Sequence, residues 1–204
     1  MKKMAVLWTL VIWVFTIDIA LAQSPRQIGG FELGRNISEY TQKVKMKTSL
    51  PIRYNEFLRQ VEIEEMPNFK SGLITYGDCA APGRILQIKL KFADSTKKFY
   101  ETLLKRYKER LGEPAEYRGD SFQILIAWKW SFVDGNNRIS LTLQHNTKDQ
   151  EEKRGNSVKM TMTNYMEEER NCHGPKHPGA NRGLHKQKRE KQKEKLNWDL
   201  LIPR

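Results

Sequence analysis

The 204-residue chain predicts an α+β domain, an antiparallel sheet with two helices on one face. Three observations carry that prediction. Several short runs alternate apolar and polar residues, two segments repeat at the helical period, and the strand-like runs are joined too closely for parallel crossovers. Hydrophobic residues make up 38% of the chain, enough to build a core and to exclude wholesale disorder. Only one long apolar run exists, at the N-terminus, which excludes a polytopic membrane protein. Two cysteines are too few for a disulfide-dense mini-protein or a four-cysteine zinc site.

The elements follow in order. Phe31-Glu32-Leu33-Gly34 reads as a short strand and turn. Asn36 with Glu39 has the form of a capping box, and Ile37, Tyr40 and Val44 share one helical face before Pro51. Phe57, Val61 and Ile63 then alternate with polar residues, and Leu73 to Tyr76 do so less cleanly. Leu86, Ile88, Leu90 and Phe92 alternate strictly with Gln87, Lys89 and Lys91, the mark of a half-buried strand. Asp94 or Ser95 opens a helix with Tyr100, Leu103, Leu104, Tyr107 and Leu111 on one stripe, closed by Gly112 and Pro114. Phe122 to Val133 is a strand, Asp134-Gly135-Asn136-Asn137 a hairpin loop, and Ile139, Leu141 and Leu143 the return. Val158, Met160 and Met162 mark a third strand. The order helix, three strands, helix, three strands is compatible with duplication of an α-β-β-β unit.

The two ends differ from the middle. Lys2 and Lys3, an apolar run from Ala5 to Ile17, and Ala20-Leu21-Ala22 read as a signal peptide over residues 1–22, cleaved before Gln23. The apolar run is too short to span a bilayer, and no cysteine follows the cleavage site for lipidation. Export would put residues 23–172, the single domain, in a periplasmic or extracellular compartment, where Cys79 and Cys172 are disulfide candidates. Residues 173–204 read as a disordered basic tail. Asn171 to Arg204 carries nine basic and three acidic residues, about half of the chain's formal +12, and Gly174-Pro175-Lys176-His177-Pro178-Gly179 is a string of breakers.

Four phrases have a familial look: Gly77-Asp78-Cys79-Ala80-Ala81-Pro82-Gly83-Arg84, Lys89-Leu90-Lys91-Phe92-Ala93-Asp94-Ser95, Ile126-Ala127-Trp128-Lys129-Trp130-Ser131-Phe132 and Leu143-Gln144-His145-Asn146. Over about Ile28 to Cys172 the chain resembles a family of uncharacterised exported proteins of Gram-negative bacteria. That resemblance implies export and a single domain, and brings no activity, cofactor or catalytic residue.

No strong catalytic motif is present. Cys79 with His145 is the one nucleophile pairing to weigh, as a thiol-dependent hydrolase or transferase. A disulfide would disable it, and no third orienting group is identifiable. Cys172, His173, His177 and His185 have metal-compatible chemistry, but the glycines and prolines among them break the helix that would align them, so no metal or other cofactor is expected. The Gly77 to Arg84 loop lacks the spacing of a nucleotide-binding loop and reads as a turn that places Cys79. Glu64-Glu65, Glu151-Glu152 and Glu167-Glu168-Glu169 read as solvated surface. Trp128 and Trp130 share a strand face with Ile124, Ile126 and Phe132, which reads as core with room for a ligand groove at the strand's end.

The expectation is an exported, non-enzymatic envelope protein that binds another protein or an anionic component such as a lipid surface. Its binding candidates are Trp128, Trp130, Lys89, Lys91, Lys129 and Lys159, together with the basic tail. Nucleic acid is not an expected partner of an exported chain.

Overall fold

The computed structural model describes residues 24–147, 155–173 and 198–203. The leader read over residues 1–22 lies outside them, as does most of the basic tail. A two-stranded hairpin, β1 (Gln27–Ile28) and β2 (Phe31–Glu32), opens the described chain. One eight-stranded antiparallel sheet follows, with spatial order β3-β4-β5-β6-β10-β9-β8-β7. Its first half is β3 (Leu50–Ile52), β4 (Asn55–Glu62), β5 (Phe69–Gly77) and β6 (Ile85–Phe92), after which comes helix α1 (Lys97–Leu111). Its second half is β7 (Glu116–Tyr117), β8 (Leu125–Asp134), β9 (Asn137–Asn146) and β10 (Gly155–Met162), followed at once by α2 (Thr163–His173). A last turn, α3, spans Trp198–Leu201.

The α+β class with antiparallel sheet is as predicted, but the repeating unit differs. Each half is a four-stranded meander followed by a helix, and the two meanders meet where their last strands, β6 and β10, pair antiparallel. The predicted first helix is absent because only its cap forms. Asn36 accepts from the Ser38 amide and the Glu39 side chain accepts from the Asn36 amide, but the capping box starts a single 3₁₀ turn, Ile37–Tyr40. Val44 is then drawn into a bridge with Ile63. A three-residue apolar face is too little to hold a longer helix against that pairing. The second predicted helix forms as α1, capped by Thr96, whose side chain accepts from the Phe99 amide.

The strand alternation places the core. Leu90, Ile88, Val158, Met160, Leu143, Leu141 and Trp130 stand on one face of the sheet, all nearly or fully buried. Phe99, Tyr100, Leu103 and Tyr107 of α1 cover that face, with Ile28, Phe31 and Leu33 from the N-terminal hairpin. Helix α2 packs at the sheet end formed by β4, β6 and β9. Leu201, Ile202 and Pro203 are buried, against the prediction that everything after Cys172 is tail. The Gly29 amide donates to the Leu200 carbonyl, and the Tyr107 hydroxyl to the Leu201 carbonyl. Burying apolar side chains outweighs the ordering entropy of a short terminal segment. Among the described residues no helix is long and apolar enough to cross a membrane.

Candidate functional site

Cys79 and Cys172 form a disulfide with their Cα atoms 5.9 Å apart, closing 93 residues of chain. Cys79 sits in the β5–β6 loop and Cys172 in the last turn of α2. A second tie joins the same two elements. Glu169, one turn before Cys172, is fully buried, and its carboxylate accepts from the backbone amides of Cys79, Ala80 and Ala81 at 2.8, 2.9 and 2.8 Å. The Gly77 to Arg84 loop therefore does hold an anion, and that anion is the chain's own. Glycine at 77 is required by this close approach, because a Cβ there would lie 2.2 Å from the Glu169 carboxylate. The reading of Glu167-Glu168-Glu169 as solvated surface is corrected accordingly. Glu168 pairs with Arg84 at 2.6 Å and Glu167 with Arg138, while Glu169 points inward.

This arrangement disposes of the thiol chemistry. The Cys79 sulfur is bonded, and His145 lies at the other end of the sheet. Cys79 precedes the start of β6, whereas His145 pairs with Asn156, beside the partner of Lys91 at the strand's far end. Six strand residues separate those ends, about 20 Å at 3.3–3.4 Å per residue. His145 is buried instead against Tyr100, with ring centroids 5.5 Å apart, and its Nδ1 meets Asn156 Oδ1 at 2.7 Å. The Asn156 amide nitrogen donates to the carbonyls of Asp94 and Thr96, so its oxygen is the acceptor and Nδ1 carries the proton. Cys172 is likewise unable to ligate metal as a thiolate. His177 and His185 lie outside the described residues.

The four candidate lysines come together on the sheet face opposite α1. Leu73, Lys89, Lys159, Thr142, Lys129 and Glu116 are successive register partners across six strands, and Lys91 pairs with Ser157 in the next row but one. Lys89 and Lys159 thus face each other directly at the junction of the two meanders. Around them the face is built of amides and hydroxyls. Gln87 donates to Thr75 at 3.5 Å and accepts from Thr161 at 3.1 Å. Lys129 is partly neutralised by Glu116 at 3.6 Å, and Arg118 beside it holds the Glu116 carboxyl below its ordinary range.

No family model, curated protein or solved structure matches the chain. Its surfaces must be read from their own chemistry.

The two tryptophans separate. Trp130 is buried; its ring packs against Tyr107 and its indole nitrogen donates to the Gly112 carbonyl at 2.8 Å. Trp128, two residues earlier on the same face, is only half-buried: the short edge strand β7 lies beside it, and the α1 group over its ring is the Lys108 ammonium, 5.8 Å from the centroid. Tyr117 meets it edge to face, with centroids 4.9 Å apart. Between them opens a cleft of about 380 Å³ lined by Tyr117, Asp120, Ser121, Gln123, Ile126 and Trp128. Burial pushes the Asp120 carboxyl up, but amide bonds from Leu125, Ile124, Phe122 and Gln123 outweigh it and leave its pKa below the ordinary value. Asp120 therefore pins the loop that forms the cleft wall. Sequence reasoning missed this loop, because Phe122 was read as strand and is instead 85% exposed at its tip.

Proposed function

We propose that this chain is an exported, disulfide-tied binding module whose lysine-bearing sheet face docks a protein or an anionic component of the cell envelope. The observation that carries the reading is the Lys89–Lys159 pair at the centre of a polar face. Like charges directly opposite each other across two strands cost stability. An anion bound over this face would add to its charge balance, and the surrounding hydroxyls and amides suit phosphate or carboxylate oxygens. Export is supported by the leader-like first 22 residues, by the disulfide, and by the resemblance to exported Gram-negative proteins. The basic run from His185 to Lys195 adds positive charge of the same kind.

The test is cosedimentation with vesicles containing phosphatidylglycerol, at low and at high salt. Each lysine near such a surface contributes about 1 kcal/mol, so K89Q/K91Q/K129Q/K159Q should weaken binding at least about tenfold. Binding of the parent should fall as salt shortens the screening length to below about 10 Å. A lysine-free face that binds vesicles as tightly as the parent would overturn the lipid arm. Unchanged capture of acidic envelope proteins by the same variant would overturn the protein arm.

A further inference from the structure

Behind the Tyr117–Trp128 cleft the core holds two buried polar atoms with no hydrogen-bond partner among the described residues: the Tyr100 hydroxyl and His145 Nε2. Tyr100 is 2% and His145 3% exposed. Ile126, which lines the cleft, is the register partner of His145, and the Tyr100 ring stacks on that of His145. One orphan is a donor. The other is an acceptor, because Asn156 holds the proton on Nδ1. Leaving such atoms unpaired in the interior costs stability, and each calls for a water or a ligand group as partner.

We propose that this cleft is a carbohydrate-binding site, taking a neutral pyranose ring against Trp128. An apolar sugar face stacks on an aromatic plane, while hydroxyls, which both donate and accept, need polar groups at the rim. The cleft has both. Its lining is mainly apolar, and Gln123, Ser121 and the second lone pairs of the Asp120 carboxylate stand at its edge. The Lys108 ammonium lies 5.8 Å from the Trp128 ring centroid, where it can donate to a ligand hydroxyl. Phe122, between the lining residues Ser121 and Gln123, adds an exposed ring to the same loop. The site stands on β7, β8 and the loop between them, on the face opposite the lysines, so it is independent of the anion-docking reading.

The experiment follows the tryptophan indole and loop amide resonances of the full chain while cellotetraose, maltotetraose and chitotetraose are added to about 10 mM, enough to detect a Kd of about 1 mM. The expected result is a saturable shift of the Trp128 indole and the Ser121–Gln123 amides with at least one glycan, and none at the Trp130 indole, which Gly112 holds. Trp128→Ala should abolish the shift. Should that variant unfold, Gln123→Ala and Phe122→Ala on the exposed loop should each weaken binding severalfold. The lysine-face variant should bind glycan normally, which separates failure here from failure of the sheet-face reading. No shift with any of the three glycans overturns the assignment. So does a shift with the apolar probe anilinonaphthalene sulfonate and none with glycan.

Discussion

Removing the Glu169 carboxylate should be among the most damaging single changes available to this domain. The side chain is fully buried and accepts three backbone amides from one loop. Glu169→Ala strands all three donors in a space that water would have to enter. At about 1–3 kcal/mol for each unsatisfied buried group, three such groups lose about 3–9 kcal/mol, a large part of a domain's usual 5–15 kcal/mol. Glu169→Gln should cost less, for a geometric reason. Two of the bonds, from Cys79 and Ala80, end on one oxygen and the third, from Ala81, on the other. A glutamine can keep its carbonyl on the first pair but must then set its own NH₂ against the Ala81 amide. That leaves a loss of about 2–3 kcal/mol, one donor-to-donor contact plus the lost charge. Urea unfolding with the disulfide intact measures both variants. A Glu169→Ala protein within about 1 kcal/mol of the parent would refute the argument. A further arm uses the disulfide, which ties the same helix to the same loop. In the chain-entropy account its closure of 93 residues is worth about 4.5 kcal/mol. Reduction should therefore unfold Glu169→Ala under conditions that leave the reduced parent folded.

Two other predictions concern the opposite side of the core. Leu201→Ala should lower stability by about 2–5 kcal/mol, the usual cost of emptying a buried leucine site, because Leu201 is fully enclosed; a change in urea midpoint within error would return these residues to the tail. Burial pushes the phenols of Tyr107 and Tyr100 far above the ordinary tyrosine value, Tyr107 while it donates to the Leu201 carbonyl. A phenol kept neutral by the fold supports stability below the unfolded pKa of about 10 and loses it as pH rises beyond. Alkaline titration followed by tyrosinate absorbance should leave two of the seven tyrosines silent until the chain unfolds. Seven phenols titrating together near pH 10 with the fold intact would contradict it.

Legibility followed the kind of force that makes each element. Where a side-chain period alone decides burial, the sequence was explicit: Leu86 to Phe92, Ile139 to Leu143 and Val158 to Met162 alternate and do form β6, β9 and β10. The Asp134–Asn137 hairpin was equally plain, since Gly135 takes the positive φ that the two-residue turn demands. Helix α2 was hidden because its most buried residue is a glutamate, and hydrophobic patterning has no way to score a carboxylate that three amides solvate. The first helix was over-read for the converse reason: a correct cap was present, but the pairing of Val44 with Ile63 is a tertiary contact that no local signal announces. Trp128 and Trp130 share a strand face and differ in what α1 sets against them, the Tyr107 ring with the Gly112 carbonyl for one and the Lys108 ammonium for the other, with Tyr117 of the edge strand beside it. Alternation gives the face; the neighbour that closes it comes from topology.

The C-terminal residues changed most between sequence and structure, and with them the experiment that addresses the basic run. Averaged over Asn171 to Arg204, composition is basic and polar, and the average conceals Leu200, Leu201 and Ile202. Both flanks of the lysine-rich stretch are anchored, Cys172 by its disulfide and Leu201 and Ile202 by burial. Deleting Asn171 to Arg204 would therefore remove a cross-link and part of the core along with the charge. Weaker binding of such a deletion to an anionic surface would report lost stability as readily as lost electrostatics. Replacing the lysines between His173 and Trp198 with glutamine leaves both anchors in place. If that variant unfolds at the parent's urea concentration but binds anionic vesicles less tightly, charge is the cause. If it binds as the parent does, the lysines of the sheet face alone account for the attraction.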